Sequence, residues 1–212
     1  MAAERQMRIT YFLEDIAHER FIPPLVERLA RELQIAFERV DVRGRTSSYS
    51  RGSRIVSDFK RFLHDAQQTM ETDLIVICID GNCVGHQEKR RQLQDECDKA
   101  HFAKPVIFAI PDPHIEYWYL CDRVALCQAL DVKKLDIQIP KAKCERDLYK
   151  HLLEEACDLA EISTTQRGIE YGPGIATHLN LLQTARSHPA FKAFYEDARQ
   201  KLQEIWRVVS QA

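Results

Sequence analysis

The run Leu74-Ile-Val-Ile-Cys-Ile79 constrains the fold more than any other stretch of the chain. An uninterrupted, mostly β-branched apolar segment leaves no polar face, so a strand made from it must be covered on both sides. Strands of that kind belong to parallel sheets flanked by helices. A second such run, Val106 to Ile110, stops at Pro111-Asp112-Pro113. Two further strand signals come earlier: Met7 to Phe12 is short and β-rich, and Ala36 to Val42 alternates apolar with polar, as a half-buried or edge strand does.

Between these runs the period changes to that of a helix. Ile22, Leu25, Val26, Leu29 and Leu33 recur at helical spacing within Ala17 to Leu33, and Pro23 and Pro24 place the start of the regular helix at the prolines. Ile55, Phe59, Phe62, Leu63 and Ala66 mark a second helix, and His86 to about His101 is polar and helical in composition. The order β-α-β-α-β-α-β predicts an α/β fold: a mostly parallel four-stranded sheet with helices on both faces. After Ile115 the buried-strand signal ends. Leu148 to about Ile162 and Pro189 to Val209 read as amphipathic helices, and Gly168 to Gly174 (GIEYGPG) as a loop between them. The chain therefore divides into an α/β domain over residues 1–122 and a mostly helical C-terminal extension over 123–212 packed on it.

Composition narrows the function classes. Thirty basic against thirty-two acidic side chains give a formal charge of -2, so there is no overall cationic field, and contact with nucleic acid would need a local patch. No window approaches the ~18 apolar residues of a membrane span, and MAAERQMRITYF lacks the apolar core of a signal peptide, so a cytoplasmic protein without membrane contact is expected. Seven cysteines, an odd number with no C-x-x-C, read as reduced thiols. Cys83 and His86 have ligand-like spacing, but no second such pair follows, which argues against a zinc site.

In an open parallel sheet the ligand crevice lies outside the carboxyl ends of the strands, where strand order reverses. Glu14 and Asp15 follow the first strand, Asp80 and Asn82 the third, and Asp112, His114 and Glu116 the fourth. With strand order 2-1-3-4, Glu14 and Asp80 share one crevice. Carboxylates gathered there suit a hard divalent cation, Mg²⁺ or Mn²⁺. Acidic residues at strand ends also cap the following helix, and that reading stands beside the metal-site one. Ile115, Trp118 and Tyr119 fit the apolar face of a short helix, with Trp118 in the core and Glu116 pointing elsewhere.

Leu13-Glu-Asp-Ile-Ala-His-Glu19 resembles the E-G-x-x-E opening of Toprim domains, and Asp80-Gly81-Asn82 stands where those domains carry D-x-D. Ile110-Pro-Asp-Pro-His-Ile-Glu-Tyr-Trp118, Ile169-Glu-Tyr-Gly-Pro-Gly-Ile-Ala176 and Ser187-His-Pro-Ala-Phe-Lys-Ala-Phe194 resemble a family of small bacterial Toprim-like proteins often encoded beside ABC-type ATPases, some in anti-phage settings. The resemblance implies a metal-dependent nuclease, or nuclease subunit, with Glu14 and Asp80 catalytic and Mg²⁺ or Mn²⁺ held by Glu14, Asp80, Asn82 and Glu116, supported by Asp15 or Asp112. The sequence departs from the Toprim pattern in two places: Asp15 stands for the usual Gly, and Asn82 for the second Asp. The second departure keeps open a catalytically degenerate regulatory subunit that docks onto an ATPase. A receiver-like phosphoacceptor would also use Glu14, Asp15 and Asp80, but it expects a Lys after a later strand, whereas Lys104 precedes one.

Arg43, Arg45, Arg51 and Arg54, continued by Lys60 and Arg61, and a second cluster, Lys89-Arg90-Arg91, are the candidate phosphate contacts for DNA or RNA. A solvated loop, a solvated helix face and an ATPase-facing surface are the other readings of these clusters.

Overall fold

A computed structural model describes residues 6–43, 53–69, 71–145 and 147–211. Four strands, β1 (Met7–Leu13), β2 (Phe37–Arg43), β3 (Leu74–Cys78) and β4 (Val106–Ala109), form one all-parallel sheet in the order β2-β1-β3-β4. The crossovers are α1 (Ile16–Glu32), α2 (Ser53–Thr69) and α3 (His86–Lys99). Strand order reverses between β1 and β3, and their carboxyl ends lie side by side there, with Leu13 paired to Cys78. Among the described residues, no helix is long and apolar enough to cross a membrane.

The alternation of side chains along a strand explains the unbroken apolar run in β3. Leu74, Val76 and Cys78 enter one hydrophobic cluster together with α1, whereas Ile75, Ile77 and Ile79 enter the other, with Phe59 and Leu63 of α2 and Leu93 of α3. The first cluster continues into the C-terminal helices α4 (Ile115–Leu120), α5 (Arg123–Ala129), α6 (Leu148–Leu159), α7 (Gly172–His178), α8 (Leu181–Ser187) and α9 (Pro189–Val209). Trp118 is fully buried there, its ring 5.0 Å from Phe191 and 5.6 Å from Phe194.

Three local expectations are corrected. Helix α1 begins at Ile16 and runs through Pro23 and Pro24 rather than starting at them. Asp15 nucleates it as N-cap, accepting from the Ala17 and His18 amides at 2.9 and 3.3 Å, and burial of Phe21, Ile22, Leu25 and Val26 offsets the amide bonds lost at the prolines. The segment GIEYGPG is not a loop: Ile169–Tyr171 make a 3-10 turn and Gly172 opens α7, with Pro173 in its first turn. Cys83 and Cys144 are not both reduced thiols but form a disulfide, with Cα atoms 5.5 Å apart and a sequence separation of 61. Cys78, Cys97, Cys121, Cys127 and Cys157 are free.

Gly172 marks a close approach. A Cβ there would collide with the hydroxyl of Tyr119, which is buried, donates to the Ala17 carbonyl at 2.7 Å and stacks on Phe21 with ring centroids 4.8 Å apart. Gly172→Ala is expected to destabilise the protein by about 1–3 kcal/mol through this overpacking. Chemical denaturation reads the loss, and an unchanged midpoint would show that Tyr119 moves aside at no cost.

Candidate metal centre

The sheet's switch point holds a buried group of titratable side chains. Glu14 leaves the end of β1, and its Oε2 accepts the Asp80 amide of the β3 end at 2.8 Å, which ties the two strand termini together. His18, one turn into α1, is fully buried between two carboxylates: Nδ1 lies 2.7 Å from Asp15 Oδ1, and Nε2 lies 3.1 Å from Asp80 Oδ1. His114, at the N-terminal edge of α4, places Nδ1 3.1 Å from Asp80 Oδ2. Both oxygens of Asp80 are thus engaged by imidazoles.

Two loops form the rim. The Gly81 amide donates to the Pro111 carbonyl at 2.6 Å and the Asn82 amide to the Pro113 carbonyl at 3.0 Å, joining the β3–α3 and β4–α4 connections. A Cβ on Gly81 would stand 3.1 Å from both the Pro111 carbonyl and Asp112 Oδ1, so a side chain there would push the two loops apart. Asn82 sits at φ 47°, in the left-handed region that Asn tolerates better than most residues, and its Nδ2 reaches back to the Asp80 carbonyl at 3.4 Å. Glu116 does not point away from the core as the helix pattern suggested: it is 2% exposed, with Lys150 Nζ of α6 3.8 Å from its Oε1. Asp112 accepts the His86 amide at 3.0 Å and so caps α3 from the neighbouring loop.

Burial and charge separate the protonation states. Glu14 is pushed up to about 7, first by burial and then by the charge of Asp80. Glu116 is also pushed up to about 7, again by burial and then by Asp80. Burial opposes ionisation of Asp15 and Asp80 as well, but the His18 imidazole beside them holds both carboxyls below their usual range. His18 itself is raised well above the ordinary imidazole value: burial works against its charge, and Asp15 and Asp80 overcome it. The hydrogen bond to Asp80 raises His114 too.

Glu14, His18 and Asp80 each offer one ligand atom, and these atoms lie within 4.8 Å of one another. That is close to the span of donors around one first-row dication with bonds of about 2.1 Å, so small side-chain movements suffice. The donor set fits such an ion: two carboxylates supply charge, and His18 carries on its far nitrogen the carboxylate partner that fixes a metal-ligating imidazole. Mixed imidazole and carboxylate ligation suits Mn²⁺ or Zn²⁺ better than Mg²⁺.

Of the residues singled out from sequence, the fold brings together Glu14, Asp15, Asp80 and Glu116, while Asn82 and Asp112 are engaged in the rim. Arg45 and Arg51 lie outside the described residues, as do the side chains of Arg43, which ends β2, and Arg54, in the first turn of α2. Arg90 is engaged by Asp197 at 3.3 Å and lies over the Phe108 ring, and Arg91 pairs with Glu88 at 2.7 Å. Lys89 is partly exposed on α3. Sequence reasoning missed His18 and Lys150 and passed over His114. The spacing Glu14-x-x-x-His18, one turn across a helix start, was the available signal for the first.

No curated protein and no solved structure matches the chain. One family model, described as a domain of unknown function (DUF4276), matches residues 13–197. That span opens just before Glu14, contains every side chain of the centre and runs into α9, so the chain belongs to this family.

Proposed function

We propose that the protein is a divalent-metal-dependent phosphodiesterase acting on nucleic acid, a Toprim-type nuclease or nuclease subunit, with Mn²⁺ preferred to Mg²⁺. The observation that carries this reading is the convergence of Glu14, His18 and Asp80 at the strand-order reversal. A bound cation would supply Lewis-acid stabilisation of charge developing on the phosphoryl oxygens and acidify a coordinated water. Asp80, held ionised by two imidazoles, keeps a fixed anionic oxygen in the centre. Glu14, as a ligand, would be held as a carboxylate by the cation, and Glu116, pushed up to about 7 and outside the Glu14–His18–Asp80 set, would be the group able to take the proton of the attacking water. With a cation bound, His18 would be the neutral imidazole, its Nε2 freed from Asp80 and its proton released to solvent, while Asp15 would keep the ring oriented through Nδ1. The setting proposed is cytoplasmic, in anti-phage defence beside an ABC-type ATPase.

One observation favours a second reading, a catalytically degenerate regulatory subunit of such an ATPase. Asn82, in the place of a second Asp, turns its amide to the Asp80 carbonyl and offers the centre no carboxylate. Incubating the purified protein with plasmid DNA and with RNA, alone and with the ATPase, separates the two. The nuclease reading expects cleavage in Mn²⁺ that EDTA stops. A stable ATPase complex without cleavage in any metal would refute it and leave the regulatory subunit.

A further inference from the structure

We propose that Lys150 is the substrate-phosphate ligand of this centre, so that α6, outside the α/β unit, supplies the cation that seats a nucleic-acid phosphodiester over the metal. The assignment rests on the phosphodiesterase reading and adds to it a binding residue that no strand-end position supplies.

The placement of Lys150 follows from its neighbour. Tyr149 is buried, its ring 4.7 Å from that of Tyr117 on α4, and its hydroxyl accepts the Lys143 amide at 2.7 Å and donates to the Pro140 carbonyl at 3.0 Å. The Cys83–Cys144 disulfide ties the same stretch to the loop that follows Asp80. The first turn of α6 is therefore pinned to the rim, and the next side chain along, Lys150, extends toward Glu116.

The geometry at Lys150 is that of a cation with capacity to spare. Nζ stands 3.8 Å from Glu116 Oε1 and 3.8 Å from Asp147 Oδ1, both beyond hydrogen-bond length, so neither carboxylate saturates its three donors. Its side chain is 42% exposed whereas that of Glu116 is 2% exposed, which puts the ammonium where the buried cluster meets solvent. Its charge is felt at Asp15, His114 and Glu116, so it overlooks the centre itself rather than a remote face. A phosphodiester approaching this edge meets several carboxylates, and an ammonium at the entrance offsets their repulsion and gives one phosphate oxygen a donor.

The test uses a fluorescent phosphorothioate oligonucleotide that resists cleavage. Its Kd is measured by anisotropy for the wild type, Lys150→Gln, Lys150→Arg and the double variant Lys150→Gln/Glu116→Gln, with and without Mn²⁺, beside calorimetric Mn²⁺ titrations. Lys150→Gln should raise the Kd at least ~10-fold and lower the salt slope by about one phosphate contact, while Lys150→Arg stays within ~3-fold of wild type. If Lys150 only neutralises Glu116, the double variant recovers wild-type affinity; the assignment requires that it stay weak. Wild-type affinity in Lys150→Gln, or no oligonucleotide binding by the wild type, overturns the assignment. Failure to bind Mn²⁺ with a Lys150-dependent Kd sinks the phosphodiesterase reading and leaves Lys150 as a phosphate ligand; Mn²⁺ binding with a Lys150-independent Kd does the reverse.

Discussion

Asp80→Asn and Glu14→Gln should each weaken Mn²⁺ binding by about 100-fold or more and abolish cleavage, yet move stability in opposite directions. Loss of a single partner outside the ligand shell already costs about 10–100-fold in metal affinity, and here a charged ligand is lost. Glu14 is held in the fold against burial and the charge of Asp80, and a Gln there keeps an oxygen to accept the Asp80 amide. Glu14→Gln should therefore raise metal-free stability at pH 8 by about 1–3 kcal/mol. Asp80 receives both His18 and His114, so Asp80→Asn strips two imidazoles of their shared carboxylate and should cost about 3 kcal/mol. Metal titration and thermal melts of the same samples check both halves. Destabilisation by Glu14→Gln at pH 8 would show that its carboxylate is satisfied as an anion without metal.

The sign of the pH dependence follows. Glu14 and Glu116 move from ordinary values of 4.5 up to about 7, so in that window the folded state binds more protons than the unfolded one, and metal-free stability falls as pH rises. Asp15 and Asp80 are lowered, and their contribution is present above the ordinary aspartate value of 3.8 and lost as pH falls through the depressed one. Glu14→Gln should flatten the slope between pH 4.5 and 7. Mn²⁺ should reverse it, because the ligands bind the ion deprotonated and release protons on loading. A wild-type melting temperature that is flat across this window, with and without Mn²⁺, would contradict the electrostatic account of the centre.

Trp118→Ala is expected to cost about 3–5 kcal/mol, lowering the melting temperature by roughly 10 °C. The indole is fully buried, and its removal leaves Phe191 and Phe194 of α9 facing a void beneath α4. Because α4 also carries Glu116 and begins beside His114, the same change should loosen the centre and weaken Mn²⁺ binding. Near-ultraviolet circular dichroism and melts measure the packing loss. A loss below about 1 kcal/mol would mean that α9 collapses onto α4 and fills the space.

The periodicities of the chain determine the α/β class and identify which segments are strands. The run from Leu74 to Ile79 has no polar face because its alternate residues enter different hydrophobic clusters on the two sides of the sheet. Such local patterns also place Glu14 and Asp80 at strand ends, and parallel pairing of β1 with β3 then brings them to the same edge. They do not decide what each carboxylate does there. Asp15 caps a helix and holds His18, Asp112 caps another, Asn82 fills a left-handed turn, and Glu116 is buried opposite Lys150. Those roles depend on partners outside the local window: His18 and Asp80 are 62 positions apart in sequence, and Asp80 and His114 are 34 positions apart. The Cys83–Cys144 bridge has the same origin, since it joins two segments far apart in sequence, and α6, which follows Cys144, packs on α4 rather than on any neighbour in sequence. Hydrophobic period reports which face a residue turns to the core, whereas the pairing of buried charges is set by which elements meet, and only the tertiary structure decides that.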